Sequence, residues 1–139
     1  MNEKVTDGGN SLQAEFLSSP DPTMASLPFS EAVRLGNLLF VSGQLGSLPG
    51  STILAPGGIA AEAEQAMLNM EHVLERHGSS LANVVKCTVF LADMAEWKAF
   101  NNVYRRSFAI GRFPARSALG ANGLAMNARV ELECIAYIP

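Results

Sequence analysis

Charge is sparse in this chain of 139 residues: 17% of positions are charged and the formal net charge is −3. So acidic a balance lacks the basic face on which nucleic-acid binders depend, and dedicated DNA or RNA recognition is excluded as a first reading. Cysteine is equally scarce, with Cys87 and Cys134 far apart in sequence and each inside an apolar run. Neither a Cys-x-x-Cys pair nor a Cys/His cluster with metal spacing occurs, which excludes a disulfide framework and a zinc module. Both cysteines are expected to be reduced and buried, with a redox pair as the alternative. No apolar run approaches the ~20 residues that cross a bilayer. The first residues show no basic start leading into an apolar core, so no secretory leader is expected and the cytoplasm is the expected compartment. Twelve Gly and seven Pro, beside 48% apolar residues, exclude collagen-like and disordered chains. What is present is enough for one domain that folds without a disulfide or a metal.

Hydrophobic period organises that domain. Residues 1–27, with Gly8-Gly9, Ser18-Ser19 and Asp21-Pro22, read as a mobile arm, and residues 28–139 as the folded part. Ser30–Leu35, the Gly36-Asn37 turn and the apolar run Leu38–Val41 predict a hairpin. Gln44–Gly58 reads as a loop. From Ile59 to His77, Ala63, Ala66, Met67, Met70, Val73 and Leu74 follow the three-four spacing of one buried helical stripe, with Gly78 as the stop. Asn83–Ala92 reads as a central strand. Asp93 and Glu96 open a second helix as a capping pair, and Trp97, Phe100, Tyr104 and Phe108 form its inward face. Ala115–Gly120 and Arg129–Ile138 supply two more strands. The order β-β-α-β-α-β-β gives an α+β domain whose two helices cover one face of the sheet. Leu38–Val41 and Val84–Leu91 are apolar on both faces, which favours burial of the second face by another subunit.

Charge within the chain is uneven. No acid occurs between Trp97 and Val130, a stretch carrying Lys98, Arg105, Arg106, Arg112, Arg116 and Arg129. Such a segment suits a small anion. Arg105 and Arg106 read as the solvated face of the second helix. Arg116 lies in Phe113-Pro114-Ala115-Arg116-Ser117, where small neighbours leave room for a guanidinium to grip a carboxylate through two parallel hydrogen bonds, or to form an ordinary rim ion pair. His72 and His77 are spaced onto different helix faces, so a shared metal is not expected. From the residues alone, Glu131 reads as a solvated partner of Arg129 or Lys86.

Four segments, in order, carry a resemblance: Ser42-Gly43-Gln44, Asn83-Val84-Val85-Lys86-Cys87-Thr88-Val89-Phe90-Leu91-Ala92-Asp93-Met94, Phe113-Pro114-Ala115-Arg116-Ser117 and Val130-Glu131-Leu132-Glu133-Cys134-Ile135-Ala136. Over Pro28–Pro139 the chain resembles the RidA/YjgF family of reactive-intermediate (enamine/imine) deaminases, with the older names L-PSP endoribonuclease and translation-inhibitor family. The resemblance implies a chorismate-mutase-like homotrimer with clefts between subunits. It implies hydrolysis of 2-imino or 2-enamino acids, such as 2-aminoacrylate and 2-iminopropionate, to 2-keto acids and ammonia, with no metal or organic cofactor. By the same resemblance Arg116 binds the substrate carboxylate and Glu131 positions or activates water. Gly43 and Asn101 line the cleft, and Phe29, Ser117 and Ala118 are placed with them in substrate binding.

Three positions depart from the family pattern. Phe29 stands where a cleft tyrosine is usual, Ala118 where cysteine is frequent, and Gly120–Ala125 replaces a run ending in Leu-Pro. Substrate identity stays open between small 2-imino acids and a larger, 2-aminomuconate-type acid. A non-catalytic trimeric binder or sensor of 2-keto or related carboxylic acids is the second class of function. RNA cleavage ranks below both, because the chain is acidic and lacks a histidine acid/base pair.

Overall fold

A computed structural model describes the backbone of residues 2–7 and 10–139, with side chains from Leu12 onward. In chain order the main elements are β1 (Asn2–Asp7), β2 (Asn10–Leu17), α1 (Pro22–Ala25), β3 (Ala32–Leu35), β4 (Leu38–Leu45), α2 (Ile59–Arg76), β5 (Val84–Leu91), α3 (Trp97–Tyr104), β6 (Ala115–Gly120) and β7 (Val130–Tyr137). The strands form one mixed sheet in the order β1-β2-β3-β4-β7-β5-β6, in which β5 and β6 pair in parallel and the other neighbours are antiparallel. From β3 onward the chain follows the expected β-β-α-β-α-β-β order.

The segment expected as a mobile arm departs from that reading where it is described. Asn10–Leu17 is a strand, with Ala14 opposite Leu35 and Phe16 opposite Val33. Leu12, Ala14 and Phe16 alternate with Gln13 and Glu15, the pattern of a strand with one polar side. Asp21 then caps the short α1 by accepting from the Thr23 amide at 2.9 Å. Gly8 and Gly9, also part of the expected arm, lie outside the described residues.

Helix α2 forms because its apolar positions recur at helical spacing, and Ala63, Ala66, Met67, Met70, Val73 and Leu74 are all buried. It stops after Arg76, and Gly78 takes a φ of +85°, a conformation that costs a residue without a Cβ nothing. Asp93 Oδ1 accepts from the Ala95 amide at 2.9 Å and starts the turn that leads into α3. Both helices lie on one face of the sheet. Leu39 and Val41 of β4, Val89 and Leu91 of β5, and Val130, Leu132 and Ala136 of β7 join Phe100 in the core beneath them. Each fully buried Leu, Val or Phe among them contributes roughly 1.5–3 kcal/mol.

Cys87 and Cys134, 47 residues apart in sequence, face each other across β5 and β7 with 2.8 Å between their sulfurs, buried and unlinked. On the opposite face none of the described residues covers the sheet. Leu38, Phe40, Val85, Leu119 and Tyr137 are all exposed there, although the strands are apolar on both sides. Among the described residues no helix is long and apolar enough to cross a membrane.

Candidate active site

Strand register decides which way each candidate side chain points. Arg116 on β6 pairs with Cys87 on β5. Cys87 is core-facing and fully buried, so Arg116 projects from the same, helix-bearing face. There its guanidinium carbon lies over three rings of α3, 4.8 Å from the centroid of Tyr104, 5.7 Å from Phe100 and 5.9 Å from Trp97. Asn101, one turn beyond Trp97 on the same helix, shares that stripe. The Asn101 Oδ1 and the Tyr104 hydroxyl are buried without a hydrogen-bond partner among the described residues. Ala118, two residues after Arg116, shares the core-side face and packs against the core.

Glu131 sits on the other side. Its neighbours Val130 and Leu132 are core-facing, so alternation turns it to the uncovered face, opposite Leu45 and Phe90. Ser117 shares this outer face, and its hydroxyl accepts from Lys86 Nζ at 3.3 Å. The expected solvated partnership of Glu131 does not form. Arg129 Nη1 instead donates to both Glu96 carboxylate oxygens, at 2.9 and 3.1 Å, and its backbone amide to the buried Glu62 at 2.9 Å. Burial pushes the Glu131 carboxyl above its ordinary pKa, and the charge of Glu133 on the same face pushes it further.

Gly43 is placed by a bulge. Val41 pairs with Cys134 and Gln44 with Leu132, so Ser42 and Gly43 together oppose one residue of β7. Ser42 anchors the bulge through its hydroxyl, which donates to the Ser30 carbonyl at 2.6 Å. The backbone at Gly43 thereby comes so close to Glu131 that an added Cβ would lie 2.7 Å from Oε2. Phe29 is 52% exposed. It and Gly43 border a cavity of about 450 Å³ against α2, whose wall includes Asn69 and His72 but neither Arg116 nor Glu131.

Six of the seven candidate residues therefore fall into two groups. Arg116, Asn101 and Ala118 share the helix side of the sheet edge, whereas Glu131, Gly43 and Ser117 lie around the uncovered face; Phe29 stands apart, at the cavity against α2. Within one chain Arg116 and Glu131 do not meet, because the sheet stands between them. The aromatic stripe, expected from the sequence as the inward face of the second helix, also lies beside Arg116. The signal available was the shared helical spacing of Trp97, Phe100, Asn101 and Tyr104. His77 Nε2 lies 2.7 Å from Glu31 Oε2, and Arg76 pairs with the same carboxylate.

A family model described as Endoribonuclease L-PSP matches residues 20–138. A 2-iminobutanoate/2-iminopropanoate deaminase of Bos taurus is 41% identical over 127 residues, covering 91% of this chain and 92% of the relative. Among solved structures, YEO7_yeast superposes with a TM-score of 0.83 at 35% identity, over 91% of this chain and 99% of its own. RidA from an Antarctic Psychrobacter species gives a TM-score of 0.81 at 34% identity, over 89% and 99% respectively.

Proposed function

The chain belongs to the endoribonuclease L-PSP family, the RidA/YjgF group, and we propose that it hydrolyses small 2-imino acids, and the 2-enamino acids that tautomerise to them, to 2-keto acids and ammonia. The observation that carries this reading is the Arg116 guanidinium, held over aromatic rings at the sheet edge with no acidic partner among the described residues. It is a cation free to receive a carboxylate.

Chemically the reaction asks for little more than orientation and proton handling, since an imine carbon is already electrophilic. Arg116 holds the substrate carboxylate by two parallel hydrogen bonds. Glu131 accepts a proton from water as the water oxygen bonds to the carbon of the protonated imine and the C=N π pair moves to nitrogen. Glu131 returns that proton to the carbinolamine nitrogen, the C–N bond breaks with its electron pair leaving on ammonia, and the hydroxyl proton passes to the Glu131 carboxylate to give the 2-keto acid. A carboxyl group with a raised pKa can pass that proton in both directions near neutrality. Because the sheet separates Arg116 from Glu131 in one chain, the complete site is assembled between two copies, in a homotrimer where the β6 edge of one copy, with Arg116, meets the uncovered sheet face of the next, with Glu131. The exposed apolar side chains of that face support this assembly.

The test is imine generated in situ by a pyridoxal-phosphate enzyme, with keto-acid and ammonia release followed against buffer. Faster release with the protein is expected. Keto-acid binding without acceleration would instead make it a binder. Gly43 offers a finer check: in Gly43→Ala the new methyl displaces the Glu131 carboxyl, and kcat is expected to fall about tenfold to a hundredfold with the fold intact. Unchanged kcat would remove Glu131 from the reaction.

A further inference from the structure

A half-buried arginine is ordinarily fixed by a carboxylate, which occupies its N–H groups and cancels its charge. Arg116 has no such partner among the described residues. Three rings of α3 surround its guanidinium instead, within 6 Å and from one helix face. A ring face attracts a cation through its quadrupole and engages the flat side of the guanidinium, so the N–H edge stays available. Tyr104 is buried and presents its ring to the guanidinium at 4.8 Å, the shortest of the three contacts. Phe100 is fully buried, whereas Trp97 is 41% exposed.

We infer that Trp97, Phe100 and Tyr104 are positioning residues for Arg116, an aromatic seat that replaces an acidic partner and keeps the guanidinium both oriented and free for a substrate carboxylate. This rests on Arg116 receiving that carboxylate, as proposed above. Since the carboxylate is held alike in the ground state and the transition state, disturbing the seat raises KM and leaves kcat nearly unchanged.

Trp97 is the only tryptophan in the chain, so growth on fluorinated tryptophans alters this ring alone while preserving its shape. Fluorine withdraws charge from the ring face. Binding of 2-ketobutyrate, measured by calorimetry across a series of increasing fluorination, is expected to weaken stepwise by about 3- to 10-fold in total, with unchanged Tm. Tyr104→Phe keeps the ring and is expected to keep the KM for 2-imino acids, whereas Tyr104→Leu raises it at constant kcat. The Arg116 Nε–H resonance, assigned by its loss in Arg116→Lys, is expected upfield in the wild type and in Tyr104→Phe and displaced in Tyr104→Leu. Keto-acid affinity insensitive to fluorination, an unshifted Arg116 resonance, or wild-type protein that binds no keto acid would each overturn the seat. Wild-type protein that hydrolyses no imine, yet binds keto acid with the fluorination dependence, would retire the catalytic reading and leave the seat standing.

Discussion

Arg116→Ala is expected to lower kcat/KM for 2-imino acids by about 10²- to 10³-fold, chiefly through KM, because it removes the charge-assisted pair that holds the substrate carboxylate. Arg116→Lys is expected to recover little. An ammonium group is a point charge that cannot reproduce the planar fork that lies beside Tyr104, Phe100 and Trp97. Stability should change little in either variant, since Arg116 holds no ion pair whose loss would strand a buried acid. Steady-state kinetics with thermal melts separates these outcomes. Alanine and wild-type enzymes with equal KM would show that the carboxylate is bound elsewhere.

Glu131→Gln is expected to reduce kcat by about 10²- to 10⁴-fold, the usual contribution of a positioned acid/base group. Its stability should move the other way. Burial and Glu133 raise the Glu131 pKa in the folded chain. The group therefore adds stability while protonated, fully below its unfolded pKa, and that contribution is lost as pH rises through the folded value. At neutral pH the ionised carboxylate is the disfavoured form, and glutamine carries no charge to bury. Glu131→Gln should then melt at or above the wild-type temperature at pH 7, with the difference vanishing in acid. The wild-type kcat/KM profile should rise through the same raised pKa, and this acidic limb should disappear in the glutamine variant. A variant that is both less stable at pH 7 and fully active would reverse the account of this residue.

The elements with a clean period were legible from residues alone. The Ala63–Leu74 stripe and the Val130/Leu132/Cys134/Ala136 alternation both face the core as read. Strand β2 was missed because Gln13 and Glu15 lower its apolar content to that of a solvated arm. Non-local pairing was invisible by nature. Spacing shows neither that the last strand lies between β4 and β5 nor that Cys87 therefore meets Cys134. Arg116 and Glu131 were picked out by their motifs, but which face each occupies follows from register with strands far away in sequence. The bulge that brings Gly43 against Glu131 was hidden for the same reason, since a bulge is defined by its partner strand.

Subunit exchange between two inactive variants addresses the shared site directly. Arg116→Ala and Glu131→Gln protein, mixed in equal amounts, unfolded and refolded together, should regain about a quarter of wild-type activity, since random reassembly of a ring pairs an intact arginine with an intact glutamate at that fraction of the interfaces. Each variant refolded alone should stay inactive. A mixture no more active than its separate components would mean that Arg116 of one copy and Glu131 of another do not work together.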